Sequence, residues 1–104
     1  MCIRDRDELS RLTALFIAND VDCYAASCAL LGNADLRPYL PTLKMPVAIV
    51  VGQEDYATPV AMSQHLHDSI PHSTLRILPR ARHLTPIEHA EQIATELLAL
   101  LRRA

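Results

Sequence analysis

Two short runs of mainly apolar residues mark the second half of the chain. Val47–Val51 is five apolar residues in a row, mostly β-branched, and Thr74–Leu78 is a second run of strand length. A strand without polar alternation is covered on both faces, which is typical of a parallel sheet flanked by helices. The pattern therefore predicts two parallel strands.

Other apolar residues in this half recur at the three- and four-residue spacing of amphipathic helices. One helix is expected between the strands, where Thr58-Pro59 predicts a cap followed by proline at the first helical position, and it runs to about Ile70. A last helix is expected from a capping box at Thr85–Glu88 to about Arg102. The order strand, helix, strand, helix gives the fold class α/β, with one βαβ unit of a parallel sheet and flanking helices.

The first part of the chain predicts two further helices and a short connector. Helical periodicity covers residues 7–18, and a segment rich in alanine and cysteine covers residues 21–31. Asp20 or Asp22 can cap the second of these helices, and Gly32 is expected to end it, because glycine is common just past a helix end. Prolines interrupt the connector at residues 36–43.

A carboxylate follows the first predicted strand, and an imidazole follows the second. Asp55 lies shortly after Val51, and His83 lies shortly after Leu78. In open parallel sheets, ligands bind beyond the carboxyl ends of the strands, so both side chains are expected at one edge. Taken singly, Asp55 is also explained as a loop carboxylate before a helix, and His83 as a polar loop residue. Together they favour an acid–base pair.

Charge and cysteine content narrow the classes of partner. The 104 residues carry a formal net charge of −2 without a basic stripe, so no nucleic-acid partner is expected. No apolar run reaches the length of a membrane span and no signal peptide is recognised, so no membrane partner is expected. Three cysteines without a CxxC pair favour free thiols, and we therefore expect a cytoplasmic protein.

The first six residues, Met1-Cys-Ile-Arg-Asp-Arg6, have no periodicity, cap or turn pattern. They resemble the translation of a transposase mosaic-end adapter used in library preparation. We therefore expect residues 1–6 to be non-native, and residues from about Asp7 onward to belong to a longer parent protein. A genuine short N-terminus is the alternative, and sequencing the locus from an adapter-free library distinguishes the two.

Residues 7–104 resemble the C-terminal part of an α/β-hydrolase. The matching motifs are Gly52-x-x-Asp55, Thr58-Pro59 after it, His83 in the loop after the next strand, and a closing amphipathic helix. The phrases Tyr24–Leu36 and His83–Glu88 are similar to the 3-oxoadipate enol-lactonase branch, and related esterases and cofactor-free haloperoxidase-like hydrolases share much of them. The resemblance implies that residues 7–43 are the end of a cap with connecting helices. Residues 47–104 would then hold the acid strand, a helix, the histidine strand and the last helix.

The same resemblance implies the acid and the base of a Ser-His-Asp triad. Asp55 would accept a hydrogen bond from the His83 ring, and His83 would take a proton from a serine hydroxyl and return it to the leaving group. Gly52 would let the strand turn sharply into the acid loop. The parent enzyme would hydrolyse a small-molecule ester or lactone, with no metal and no organic cofactor. Arg82 departs from the family, which often has glycine before the histidine, and this puts the shape of the loop in doubt.

No nucleophile is expected within this chain. The nucleophile elbow, G-x-S-x-G, places serine between two glycines at a strand-to-helix turn, whereas the two glycines here are Gly32 and Gly52. The serines are all expected in helices or in helix-to-strand turns: Ser10, Ser27, Ser63, Ser69 and Ser73. The expected protein is therefore a C-terminal part of a serine hydrolase that is inactive by itself.

Two alternatives stay open at this point. The same scaffold also supports acyl transfer, haloperoxidase-like perhydrolysis and hydrolysis of carbon–carbon bonds. The second alternative is a small, non-catalytic interaction module. The DNA upstream of codon 7 distinguishes the hydrolase from the interaction module. A continuous reading frame that encodes a strand, G-x-S-x-G and a helix favours the hydrolase. A ribosome-binding site with stop codons favours the module.

Overall fold

The computed structural model describes residues 6–103 of the chain. The helices are α1 Arg6–Ile17, α2 Val21–Asn33, α3 Val60–Ser69, α4 Thr85–Glu88 and α5 Ala90–Leu101, with a 3-10 turn at Arg37–Thr42. The strands are β1 Ala48–Gly52 and β2 Thr74–Leu78. The described residues form two compact units, 6–36 and 37–103. Residues 1–5 of the expected non-native segment lie outside the described range, so that expectation stays a prediction, as does the assignment of residues 7–43 to a cap.

The unit formed by residues 6–36 consists of α1 and α2. Of the two predicted caps, Asp20 is the N-cap of α2, since its Oδ1 accepts a hydrogen bond from the backbone N–H of Cys23 at 2.8 Å. The prediction that Gly32 ends the helix is wrong: Gly32 lies inside α2, and Ala34 follows the helix in an extended conformation. The φ of Gly32 is not positive, so the helix ends without the left-handed residue that makes glycine common after a helix.

Within residues 6–103, no single helix is long and apolar enough to cross a membrane. The pair α1 and α2 together meets the criteria of length and hydropathy, but the two helices are bent by 91° at their junction. This is a statement about length and composition alone.

The unit formed by residues 37–103 is built on the two strands. β1 and β2 pair in parallel, with a register from Ala48↔Thr74 to Gly52↔Leu78, which confirms the predicted βαβ unit. Burial is concentrated at the carboxyl ends, where Val51, Gly52 and Leu78 are buried. The first three residues of β1 are half-buried, and Ile77 in β2 is 43% exposed.

The helices of this unit differ from the prediction at their ends. α3 begins at Val60 without a side-chain cap, because the hydroxyl of Thr58 bonds to Asp55 instead. The expected last helix is divided at His89, whose backbone (φ −139°, ψ 49°) leaves the helical region. The division could not be predicted from the pattern, because no glycine or proline lies at the break.

Candidate active site

The acid loop after β1 and the histidine loop after β2 are joined by backbone hydrogen bonds. The N–H of Gln53 donates to the Leu78 carbonyl, and the N–H of Glu54 donates to the Ala81 carbonyl, both at 2.9 Å. Ala81 is fully buried at this junction. Backbone hydrogen bonds thus continue beyond the last paired residues of the strands and fix the two loops against each other.

Gly52 allows this close approach. A Cβ at Gly52 would lie 2.3 Å from the carbonyl oxygen of Arg82 and 2.4 Å from that of Ala81, distances that real Cβ atoms essentially never show. The expected turn into the acid loop is present, since the N–H of Asp55 donates to the Gly52 carbonyl at 3.2 Å, but the φ of Gly52 is not in the left-handed region, so the turn itself does not require glycine. Glycine is needed here because the backbone of the histidine loop occupies the place of a side chain.

Asp55 is the most strongly coordinated side chain in these loops. Its Oδ1 accepts hydrogen bonds from the N–H groups of Ala57 and Thr58, both at 2.9 Å. Its Oδ2 accepts a hydrogen bond from the Thr58 hydroxyl at 2.8 Å. Only 4% of the side chain is exposed. These bonds fix the orientation of the carboxylate without using all of its acceptor capacity.

The remaining capacity of the carboxylate is directed at His83. The Nδ1 atom of His83 lies 3.0 Å from Oδ2 and 3.2 Å from Oδ1 of Asp55. Because an ionised carboxylate only accepts, Nδ1 must carry the proton and Nε2 then carries the lone pair of the neutral ring. The His83 side chain is 55% exposed, so the ring bridges the buried acid and the surface. This is the arrangement of an acid that orients a general base.

The hydrogen bonds at Asp55 also favour its charged form. The N–H of Thr58 is the largest influence, and together with the His83 ring, the Thr58 hydroxyl and the Ala57 N–H it lowers the pKa of Asp55 to about 2, against an opposing effect of desolvation. The folded-state pKa is thus below the ordinary value of 3.8. The ionised carboxylate therefore stabilises the fold above that ordinary value, and the stabilisation is lost as the pH falls toward about 2.

We expect this loss to be visible in thermal unfolding. Between pH 7 and about pH 2, the thermal midpoint of the chain should fall more steeply than that of the Asp55→Asn variant, with the difference concentrated below about pH 4. Circular dichroism at a series of pH values measures the thermal midpoints of the unsubstituted chain and of the variant. Glu91→Gln, at an exposed carboxylate of α5, is the matched control and should follow the unsubstituted chain. Parallel curves for Asp55→Asn and the unsubstituted chain would contradict the role given to these hydrogen bonds.

Glu88 is a buried residue of the histidine loop whose role the sequence did not predict. The predicted capping box is wrong, because Leu84 is the N-cap of α4 and Thr85 makes no side-chain cap bond. The Glu88 carboxylate instead accepts hydrogen bonds from the backbone N–H groups of Arg82 and Leu84. A glutamate a few residues after a candidate catalytic histidine is the only signal in the sequence that could have indicated this contact.

The other candidate groups lie away from the pair or make structural contacts. As expected, the serines occupy helices or, for Ser73, the turn before β2. Arg82 lies near Glu54, with Nε 3.7 Å from Oε2, both on exposed side chains. Cys23 and Cys28 are free and exposed. Within residues 6–103, no group of three or more histidine, cysteine or acidic side chains could hold a metal ion.

No protein-family model matches the chain, but individual proteins do. It is 32% identical over 102 residues to 3-oxoadipate enol-lactonase 2 of Acinetobacter baylyi, covering 97% of this chain and 38% of that protein. It is 29% identical over 99 residues to the pimeloyl-[acyl-carrier protein] methyl ester esterase of Aliivibrio salmonicida, covering 95% of this chain and 38% of the esterase. The chain thus spans well under half the length of these relatives.

Solved structures give the same result for the fold. A hydrolase from Pseudomonas aeruginosa PA01 superposes with a TM-score of 0.87 at 26% identity, covering 94% of this chain and 37% of that one. The enol-lactonase from Burkholderia xenovorans LB400 superposes with a TM-score of 0.80 at 27% identity, covering 94% and 40% of the two chains. These matches are consistent with the predicted C-terminal part of such an enzyme. By sequence and by fold, the chain belongs to the α/β-hydrolases.

Proposed function

We propose that this chain carries the acid and the base of a serine hydrolase that acts on an ester or a lactone. The observation that carries the proposal is the pairing of His83 Nδ1 with the buried Asp55 carboxylate at 3.0 Å. The pair lies beyond the carboxyl ends of two parallel strands, which is where ligands bind in open α/β sheets. Asp55 and His83 are the catalytic residues on this proposal.

Each residue has a defined task in such a reaction. Asp55 holds the proton of His83 on Nδ1, so that Nε2 is free to accept the proton of a serine hydroxyl. The serine oxygen then attacks the carbonyl carbon of the ester or lactone, and His83 returns the proton to the leaving oxygen. A water molecule, deprotonated in turn by His83, releases the acyl group from the serine. No step in this sequence draws on a metal or an organic cofactor.

The nucleophile has to come from chain that these 104 residues do not contain. Among residues 6–103, each serine lies in a helix or in the turn before β2, where the strained strand-to-helix elbow cannot form. The donors of an oxyanion hole would come from the same additional part. The two relatives above, a lactonase and a methyl ester esterase, support ester or lactone substrates. Acyl transfer, perhydrolysis and carbon–carbon bond hydrolysis would use the same acid and base.

Other properties of the parent protein belong to the same proposal. We propose a small-molecule substrate, without a nucleic-acid or membrane partner, because the net charge is −2 and the basic residues form no stripe. A cytoplasmic location is supported by the cysteines, since Cys23 and Cys28 are both free.

The test is a hybrid enzyme in which residues 7–104 of this chain replace the matching segment of the Acinetobacter baylyi lactonase. We expect the hybrid enzyme to hydrolyse p-nitrophenyl acetate, because the lactonase part supplies a serine and an oxyanion hole while this chain supplies Asp55 and His83. The 104-residue chain alone should show no turnover, since it has no activated nucleophile. Assays with a lactone and with a methyl ester then separate the two substrate classes.

Two controls make the result interpretable. The lactonase without its matching segment should be inactive, which shows that turnover needs the segment supplied here. Circular dichroism establishes that the hybrid enzyme is folded. A folded hybrid enzyme without turnover on esters and lactones would count against the proposed function, as would turnover by the free chain.

A further inference from the structure

Glu88 binds the histidine loop on both sides of His83. Its Oε2 accepts a hydrogen bond from the backbone N–H of Arg82 at 3.0 Å, and its Oε1 accepts one from the backbone N–H of Leu84 at 3.1 Å. Arg82 and Leu84 are the two neighbours of His83 in the sequence. One carboxylate thus fixes the backbone immediately before and immediately after the candidate base.

The environment of Glu88 makes these two bonds important. Glu88 is 7% exposed, and a buried carboxylate is costly unless its oxygens are hydrogen-bonded. The guanidinium group of Arg82 lies near Glu54 and not at this carboxylate. The negative charge of Glu88 is therefore stabilised by N–H groups of the loop itself, and charge-assisted bonds of this kind are stronger than neutral ones.

The other contacts of the loop hold it at its two ends: at the Leu84 end, the Leu84 carbonyl accepts hydrogen bonds from the N–H groups of Ile87 and Glu88. The start of the loop is fixed to the acid loop through the carbonyl of Ala81. Beyond Ala81, the ring of His83 contacts Asp55 and Thr58, but the ring is 55% exposed and little packs around it. Between these two ends, the backbone N–H groups that flank His83 are both bound by Glu88.

We propose that Glu88 is a positioning residue that keeps the His83 ring within hydrogen-bond distance of Asp55. The inference rests on the proposed function, in which His83 is the general base. A catalytic group displaced by about 1 Å can lose about 100-fold in rate, so a change at Glu88 should affect turnover although Glu88 does not touch the substrate.

The decisive variant is Glu88→Gln in the hybrid enzyme. The amide has the same size, but one of its two terminal atoms is now an NH₂ donor, which would face a backbone N–H of the loop. We expect kcat to fall about 10- to 100-fold while KM stays within about two-fold, because the proton transfer is misplaced and the substrate contacts are not. Glu91→Gln makes the same chemical change on the exposed surface of α5 and should leave both constants unchanged.

A second measurement reports on the pair directly. The proton on His83 Nδ1, shared with Asp55, should give a downfield resonance in the proton spectrum of the folded hybrid enzyme, and Glu88→Gln should weaken or remove it. Glu91→Gln should retain it. A role of Glu88 in stability alone would lower the thermal midpoint but leave kcat per folded molecule and this resonance unchanged.

The outcomes separate this inference from the proposed function. An active hybrid enzyme that depends on His83, but keeps its kcat and its resonance in folded Glu88→Gln, would overturn the role of Glu88 alone. If the hybrid enzyme is folded but inactive, the proposed function fails, and the resonance still decides the role of Glu88. If Glu88→Gln does not fold, Glu88→Asp, whose shorter carboxylate cannot bridge both N–H groups, is measured in the same way.

Discussion

His83→Ala is expected to lower the kcat of the hybrid enzyme by about 10⁴- to 10⁶-fold, the range found when the histidine of a serine-hydrolase triad is removed. The imidazole is the group that accepts the serine proton, and the other groups around it cannot replace it. Three donors, the N–H groups of Ala57 and Thr58 and the Thr58 hydroxyl, hold the Asp55 carboxylate, and its remaining capacity is directed to Nδ1 of His83. Steady-state kinetics with p-nitrophenyl acetate measures this fall in kcat.

The matched control is His65→Ala. His65 is an exposed histidine of α3, and its carbonyl, not its ring, makes the hydrogen bond that the structure records. Its removal should leave kcat within about two-fold of the unsubstituted hybrid enzyme. If His83→Ala were as active as His65→Ala, the assignment of His83 as general base would be wrong.

Asp55→Asn adds information that His83→Ala cannot give. The amide can be held in the same place, but it can present its NH₂ group to Nδ1 and so favour the tautomer with the proton on Nε2, which cannot accept the serine proton. We expect a loss of about 10⁴-fold in kcat with a retained fold, as for the corresponding change in known triads. If Asp55→Asn lowered kcat less than Glu88→Gln does, the main role of Asp55 would be to hold the acid loop and not to orient His83.

The pairing of Asp55 with His83 could be predicted because it depends on few facts. Parallel strands bring their carboxyl ends to one edge, so it was enough to recognise two strands and the residues after them. The second strand has the predicted bounds, Thr74–Leu78, and the first, Ala48–Gly52, is shifted by one residue from the prediction. The catalytic roles of the two residues stay a proposal that the hybrid enzyme tests.

The contacts that hold the pair were not predicted, because the helix-capping rule assigned Thr58 and Glu88 other partners. The hydroxyl of Thr58 was expected to cap α3, but it lies closer to a more demanding acceptor, the buried Asp55 carboxylate. Glu88 was expected to bond within its own helix, but the free N–H groups of the histidine loop lie within its reach. In both cases a buried carboxylate close by in the sequence takes the hydrogen bonds, in place of the partners that the helix-capping rule assigns.

Gly52→Ala is expected to be the most damaging conservative change in the scaffold of the site. The added Cβ would lie 2.3 Å from the Arg82 carbonyl oxygen and 2.4 Å from that of Ala81. Both contacts are with backbone, which cannot rotate away as a side chain can, so the histidine loop has to move. We expect the free energy of unfolding to fall by about 1–3 kcal/mol, the usual cost of overpacking.

The displaced loop should also carry His83 away from Asp55. We therefore expect Gly52→Ala to lower kcat per folded molecule, in addition to its effect on stability, and to weaken the Nδ1 proton resonance. Urea unfolding followed by circular dichroism measures the first effect, and kinetics and proton spectra of the folded enzyme measure the others. These three measurements separate loss of fold from loss of geometry.

The other glycine of the chain, Gly32, provides a control in which alanine should raise the free energy of unfolding. Gly32 lies within α2, and a Cβ there would meet no atom within 4 Å. Because alanine restricts the unfolded chain and favours helix, Gly32→Ala should raise the free energy of unfolding by about 0.5–1 kcal/mol. If Gly52→Ala were as well tolerated as Gly32→Ala, the close approach of the histidine loop to β1 could not be what positions His83. If only Gly52→Ala is destabilising, glycine is required at the end of β1 because a neighbouring backbone needs the space.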